Sequence, residues 1–237
     1  MNVLDIGVIL VLLMFFIVGI KQGIIRELLA LVGTILIFYL SFALSGISGN
    51  ILAICLPFIE FEGILEGISS VNILMYHIIA FMIIFCVLLT FYELLIKFSK
   101  FLQKLVNMTI VLLIPSKILG GVVGAIKGYI ILFLILLALA IPFGNTTAFG
   151  ESYFAETILY NTPLLSNSVG SITKSTRETY QLIEKLSNNK TTSREANLDL
   201  LDILLRNNMT NKEVVEELVR KNKLTNVQGY EEVLSRY

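Results

Sequence analysis

Four stretches of the chain, about Val3–Ile20, Ile24–Leu44, Val71–Ile96 and Ile118–Phe143, stay apolar long enough to cross a lipid bilayer. A helix needs about 20 such residues to traverse a hydrocarbon core of about 30 Å. No other feature limits the fold so strongly. The expectation is an all-α membrane protein, with four transmembrane helices in two hairpins and a polar helical tail at the C-terminal end. Composition agrees, because 56% hydrophobic and 15% charged residues, with a mean hydropathy of +0.82, do not suit a soluble domain of 237 residues.

Charge divides the chain further. Residues 1–143 hold seven Lys or Arg and six acids, whereas eleven and twelve crowd into the remainder. We therefore expect a membrane domain over 1–143, a polar linker with a short amphipathic helix over 144–192, and a small helical tail over 193–237. The opening "MNVLDIGVILVLLMFFIVGIKQG" has no basic lead and no small-x-small cleavage pattern, so it reads as a retained helix. "ILAICLPFIEF" (Ile51–Phe61) is too short to span and is interrupted by Pro57, which suits an interfacial or re-entrant piece.

Orientation follows from Lys and Arg in short loops, which stay on the cytoplasmic side. The first connection offers Lys21 and Arg26, and the third Lys97, Lys100, Lys104 and Lys117. The second has none, but carries Glu60, Glu62 and Glu66. Both termini are then expected outside. Lys97, Lys100 and Lys104 share one helical face opposite Phe98, Phe101, Leu102 and Leu105. That pattern suits either a basic amphipathic helix on the inner leaflet or the solvated end of the third span.

Gly120, Gly124 and Gly128 recur every four residues on one face of the fourth span, and Gly19 and Gly23 close the first. In lipid such small-residue stripes let helix backbones approach closely, so helix packing is the preferred reading. Pro115 stops any preceding helix and Ser116 reads as an N-cap. Lys127 lies inside the same span. It either pairs with a carboxylate or reaches the inner headgroups with its long stem, and the second account is preferred. Asp5, Arg26, Glu27, Glu93 and Lys127 are the candidate intramembrane or interfacial charges. Arg26, Glu27 and Glu93 fall towards the cytoplasmic ends of their spans, where they could cluster with Lys127.

These features resemble the colicin V production (CvpA) family. The likeness rests on Asn2, Asp5, Gly19, Gly23, Arg26, Glu27 and Leu28 at the front, and on Lys117, Leu119, Gly120, Gly124 and Gly128 ahead of the fourth span. It covers residues 1–143. The resemblance implies a four-helix bacterial inner-membrane protein connected with export of a peptide toxin and with envelope integrity, and it implies no particular biochemical activity.

Enzyme chemistry is not expected. His77 is the only histidine, Cys55 and Cys86 stand apart as free thiols, and no catalytic constellation or metal-ligand spacing is present. "GGVVGAIKGY" departs from a P-loop, since Ile126 precedes Lys127 and Gly128 follows it. No cofactor and no metal is expected. In the tail, Leu198, Leu201 and Leu205 mark one helix. Thr210 and Glu213 suggest a capping box for a second, and Tyr230, Val233 and Tyr237 a third. Seven basic against eight acidic residues after Thr192 give no nucleic-acid surface. The partners expected are the bilayer and other envelope proteins, with self-association an open alternative. The preferred function is a membrane scaffold or accessory factor, and the alternative is a small transporter or channel.

Overall fold

A computed structural model of the chain describes residues 2–103, 115–143, 149, 151–160, 162, 170–187 and 191–237. All regular structure among them is helical: α1 (Val3–Gln22), α2 (Ile24–Cys55), α3 (Val71–Gln103), α4 (Pro115–Phe143), α5 (Tyr153–Tyr160), α6 (Gly170–Ser187), α7 (Ser193–Arg206), α8 (Lys212–Arg220) and α9 (Tyr230–Leu234), with a 3-10 turn at Gly63–Leu65. Among the described residues four helices are long and apolar enough to cross a membrane, and the protein is an all-α membrane protein.

Local chemistry sets the ends of these helices. Asn2 caps α1 while the Asp5 carboxylate accepts from the Asn2 backbone N–H, a reciprocal capping box. Gly23 then breaks the chain between α1 and α2 at φ +79°, a conformation open to glycine. Ser116 lies inside α4 as a helical residue, so it does not stand ahead of the helix as an N-cap.

The second helix runs farther than its sequence suggests. Ser45–Asn50 reads as a loop, yet α2 passes through it unbroken to Cys55, which takes in the first half of the Ile51–Phe61 piece. Gly49 sits in this stretch because α3 lies so close: a Cβ there would come within 2.6 Å of the His77 ring. The Ser41 hydroxyl is buried and donates to the Ile37 carbonyl, which hides its polarity inside the helix. Likewise α3 continues to Gln103, so Lys97 and Lys100 extend the third span; Lys104 lies outside the described residues.

Two compact units make up the molecule. The first comprises residues 1–42 and 82–165. In it α1 and α4 pack antiparallel along their lengths, and α5 lies against both. Tyr92 of α3 lies over Gly33 of α2 and donates to the Leu29 carbonyl at 2.8 Å.

The second unit comprises residues 43–81 and 166–237. It builds a core from the end of α2, the connecting loop, the start of α3 and helices α6–α9, with Ile73, Leu74, Ile172, Leu200, Leu201, Leu204 and Val215 fully buried. The polar tail is thus a partner of the loop between spans two and three. In that loop, Asn72 clamps the peptide of Ile59 from both sides: Oδ1 accepts its N–H at 2.8 Å and Nδ2 donates to its carbonyl at 3.0 Å. Within the tail the capping box forms at Thr192 and Glu195. At the next helix Asn211, not Thr210, is the N-cap, because its carboxamide oxygen reaches the Val214 N–H at 2.9 Å.

Candidate functional site

The site of interest in the first unit begins with the glycines. At Gly124 a Cβ would lie 2.5 Å from the Phe15 carbonyl oxygen and 3.0 Å from the Gly19 Cα. At Gly120 it would meet the Gly19 carbonyl oxygen at 2.6 Å and the Gly23 carbonyl carbon at 2.8 Å, and at Gly128 the Phe15 side chain at 2.7 Å. Backbone therefore faces backbone where α1 crosses α4. This is the geometry that small-residue stripes permit in lipid, where close packing replaces the hydrophobic drive between helices.

That close approach sets the surroundings of Lys127. One residue before Gly128, its ammonium donates to Glu27 Oε2 of α2 at 2.6 Å, and its Nζ lies 5.8 Å from the Phe15 ring centroid. The Glu27 side chain is wholly buried and the Lys127 side chain is 13% exposed. The lysine is therefore paired and does not reach out to headgroups, contrary to the preferred expectation. A carboxylate and an ammonium this close satisfy each other in a buried setting where either charge alone is costly. Among the described residues, Glu27 Oε1 is buried without a hydrogen-bond partner. Arg26 and Glu93 are exposed, so of the expected ionic cluster only the Glu27–Lys127 pair is assembled.

Asp5 takes a different role. It is 4% exposed and, besides capping α1, accepts from the Ser152 hydroxyl at 2.6 Å and from the Phe154 N–H at 3.3 Å. One carboxylate thus ties the first turn of α1 to the start of α5. The Asn-x-x-Asp spacing announces the cap. Nothing in the sequence announces Ser152.

A family model described as "Colicin V production protein" matches residues 4–163. The chain belongs to the colicin V production protein family. The matched segment takes in the α1/α4 crossing, the Glu27–Lys127 pair and the Asp5–Ser152 joint. No curated protein and no solved structure matches the chain.

In this family member, the second unit carries its own polar fittings. Lys223 spends all three ammonium hydrogens on the end of α2, donating to the carbonyls of Ala53 at 2.9 Å, Ile54 at 2.6 Å and Leu56 at 2.7 Å. A cation at a helix C-terminus satisfies orphan carbonyls and opposes the negative end of the helix dipole. Burial, with Lys221 nearby, holds the Lys223 ammonium below the usual lysine range. Asn197 of α7 is fully buried: Oδ1 accepts the Ser70 N–H at 3.0 Å and Nδ2 donates to the Gly67 carbonyl at 2.8 Å. His77 is also buried. Its Nδ1–H donates to the Ile73 carbonyl at 2.8 Å. Sequence reasoning missed Lys223, Asn197 and Asn72, since each acts on backbone from another part of the chain.

Proposed function

We propose that this protein is a non-catalytic accessory or scaffold protein of the bacterial cytoplasmic membrane, serving envelope processes that include export of a peptide toxin. The observation that carries this reading is the family match over residues 4–163, together with the kind of interior those residues build. Its polar groups are spent on packing and pairing: glycines on a helix crossing, Asp5 on two helix ends, Lys127 on Glu27. The tail supplies a folded polar surface for other envelope proteins, and basic residues in the first and third connections support an arrangement with both termini outside. The nearly balanced charge of the tail argues against nucleic acid as a partner.

The test is a deletion in a toxin-producing strain, with toxin measured separately in culture fluid and in cells. Retention of toxin in cells lacking the gene, reversed by the intact chain, supports the proposal. Unchanged secretion together with unchanged tolerance of membrane-active detergents would refute it.

One observation favours a transporter or channel component as a second reading. The unpartnered Oε1 of Glu27, beside Lys127, is a buried polar atom of the kind that marks ion or proton pathways. Flux through vesicles reconstituted with the purified chain, abolished by Glu27→Gln, would select it.

A further inference from the structure

The first unit contains a cavity of about 520 Å³ whose walls come from α1 (Leu12), α2 (Phe38, Tyr39) and α4 (Ala125, Tyr129), with Thr162 at one end. Its volume lies in the range of sites that hold small molecules, which are commonly found between the helices of bundles. It extends roughly 12 Å along α4, from Val122 to Ile130 at 1.5 Å per residue. The only polar groups in its lining are hydroxyls, and at one end these are already committed. Thr162 Oγ1 donates to the Ile158 carbonyl at 3.0 Å, and the Tyr129 hydroxyl pairs with Thr162. That end of the groove therefore has no donor in search of a partner. An occupant reaching that end must be apolar there, and Leu12, Ile35, Phe38, Val122, Ala125, Ile126 and Ile130 make the rest of the lining mostly hydrocarbon.

The position of the walls decides which apolar occupant. All three helices belong to segments long and apolar enough to lie in the bilayer, and Ile126 and Tyr39 at the rim are about half exposed. With these helices crossing a bilayer, the solvent at that rim would be hydrocarbon. We infer that the groove between α1, α2 and α4 is a binding site for one acyl chain of a membrane phospholipid. Bound there, the chain makes dispersion contacts along the groove that an unfilled void would forfeit. The lipid becomes a filler between α2 and the tightly joined α1/α4 pair. This inference stands apart from the scaffold proposal, since neither a scaffold nor a transporter requires it.

The protein contains no tryptophan, so a single introduced indole reports cleanly. Tyr39→Trp places the probe at the groove, and Leu10→Trp places it on the exposed face of α1. Each variant of the full chain, purified in detergent, is titrated with a phospholipid whose acyl chains are brominated. Fluorescence of Tyr39→Trp should fall saturably, with its plateau near one lipid per chain. That of Leu10→Trp should fall in proportion to added lipid, without a plateau. Adding Ala125→Phe, whose ring occupies the groove, should remove most of the saturable loss at Tyr39→Trp and leave the Leu10→Trp curve unchanged. Ile126→Phe, on the half-exposed part of the same wall, carries the same test if Ala125→Phe does not fold. Parallel unsaturating curves at the two probes, or an undiminished plateau in the filled-groove variants, would overturn the inference.

Discussion

Replacing Lys127 with methionine keeps the length of the side chain and deletes its charge, which isolates the ion pair. In the native protein Glu27 is wholly buried, one oxygen bonded to Lys127 at 2.6 Å and the other without a hydrogen-bond partner among the described residues. Lys127→Met therefore leaves a buried carboxylate whose only hydrogen-bonded side-chain partner is gone. Breaking a buried pair from one side costs about 3–5 kcal/mol, and insertion scales put an uncompensated charge in a bilayer at about 2.5–3.5 kcal/mol. We expect about 3 kcal/mol in detergent-based unfolding at neutral pH. Glu27→Gln should cost less, since the Lys127 side chain is already partly exposed and its long stem can carry the ammonium toward headgroups. The double variant Lys127→Met with Glu27→Gln should recover most of the loss, because a buried pair replaced as a unit by neutral groups is often neutral in stability. A single Lys127→Met variant as stable as the native protein would refute this account. So would a double variant no more stable than the single.

Four further outcomes follow from the geometry. Gly124→Ala should already destabilise, and Gly124→Leu should prevent the α1/α4 crossing, because the added carbon meets the Phe15 carbonyl and has no side chain to displace; monodisperse elution and unchanged melting of both would place the crossing elsewhere. Lys223→Met should release the end of α2, seen as faster hydrogen exchange at Ile51–Cys55 and a loss of about 1–3 kcal/mol from unsatisfied carbonyls; unchanged exchange would show that the cap contributes nothing. Glu195 is held below the usual carboxylate range, chiefly by the Thr192 N–H, so its contribution is full above about pH 4.5 and is lost as the pH falls through its folded-state value. The difference in exchange protection between native protein and Glu195→Ala at the start of α7 should therefore close on acidification, and a gap that persists or widens would contradict the sign. In a background without Cys55 and Cys86, a cysteine at Lys212 should be labelled from outside intact cells and one at Lys97 should not; the reverse pattern inverts the topology.

How much of this was legible depends on the range of each interaction. The four spans were, because a bilayer imposes a length and composition that every residue of a helix must respect. The glycine face of α4 was too, since a four-residue period is a local property. Gly49 shows where local reading stops. A serine and glycine cluster looks like a loop, and only the arrival of His77 from α3 explains why those residues continue a helix.

The same limit governs Lys127. Its depth in the sequence raised the question of a partner, but Glu27 is a hundred positions away and one of six acids in residues 1–143. What selects it is the α1/α4 crossing. Gly120, Gly124 and Gly128 draw α4 against Phe15 and Gly19, and Lys127, one position from Gly128, is thereby held beside Phe15 and meets Glu27 from α2. Bulk at Gly128 or Gly124 should therefore weaken the ion pair without touching either charge. In the double-variant experiment, the coupling between Lys127 and Glu27 should shrink when Gly124→Ala is present. Coupling of undiminished size in that background would mean that the pair is assembled by α2 and α4 alone.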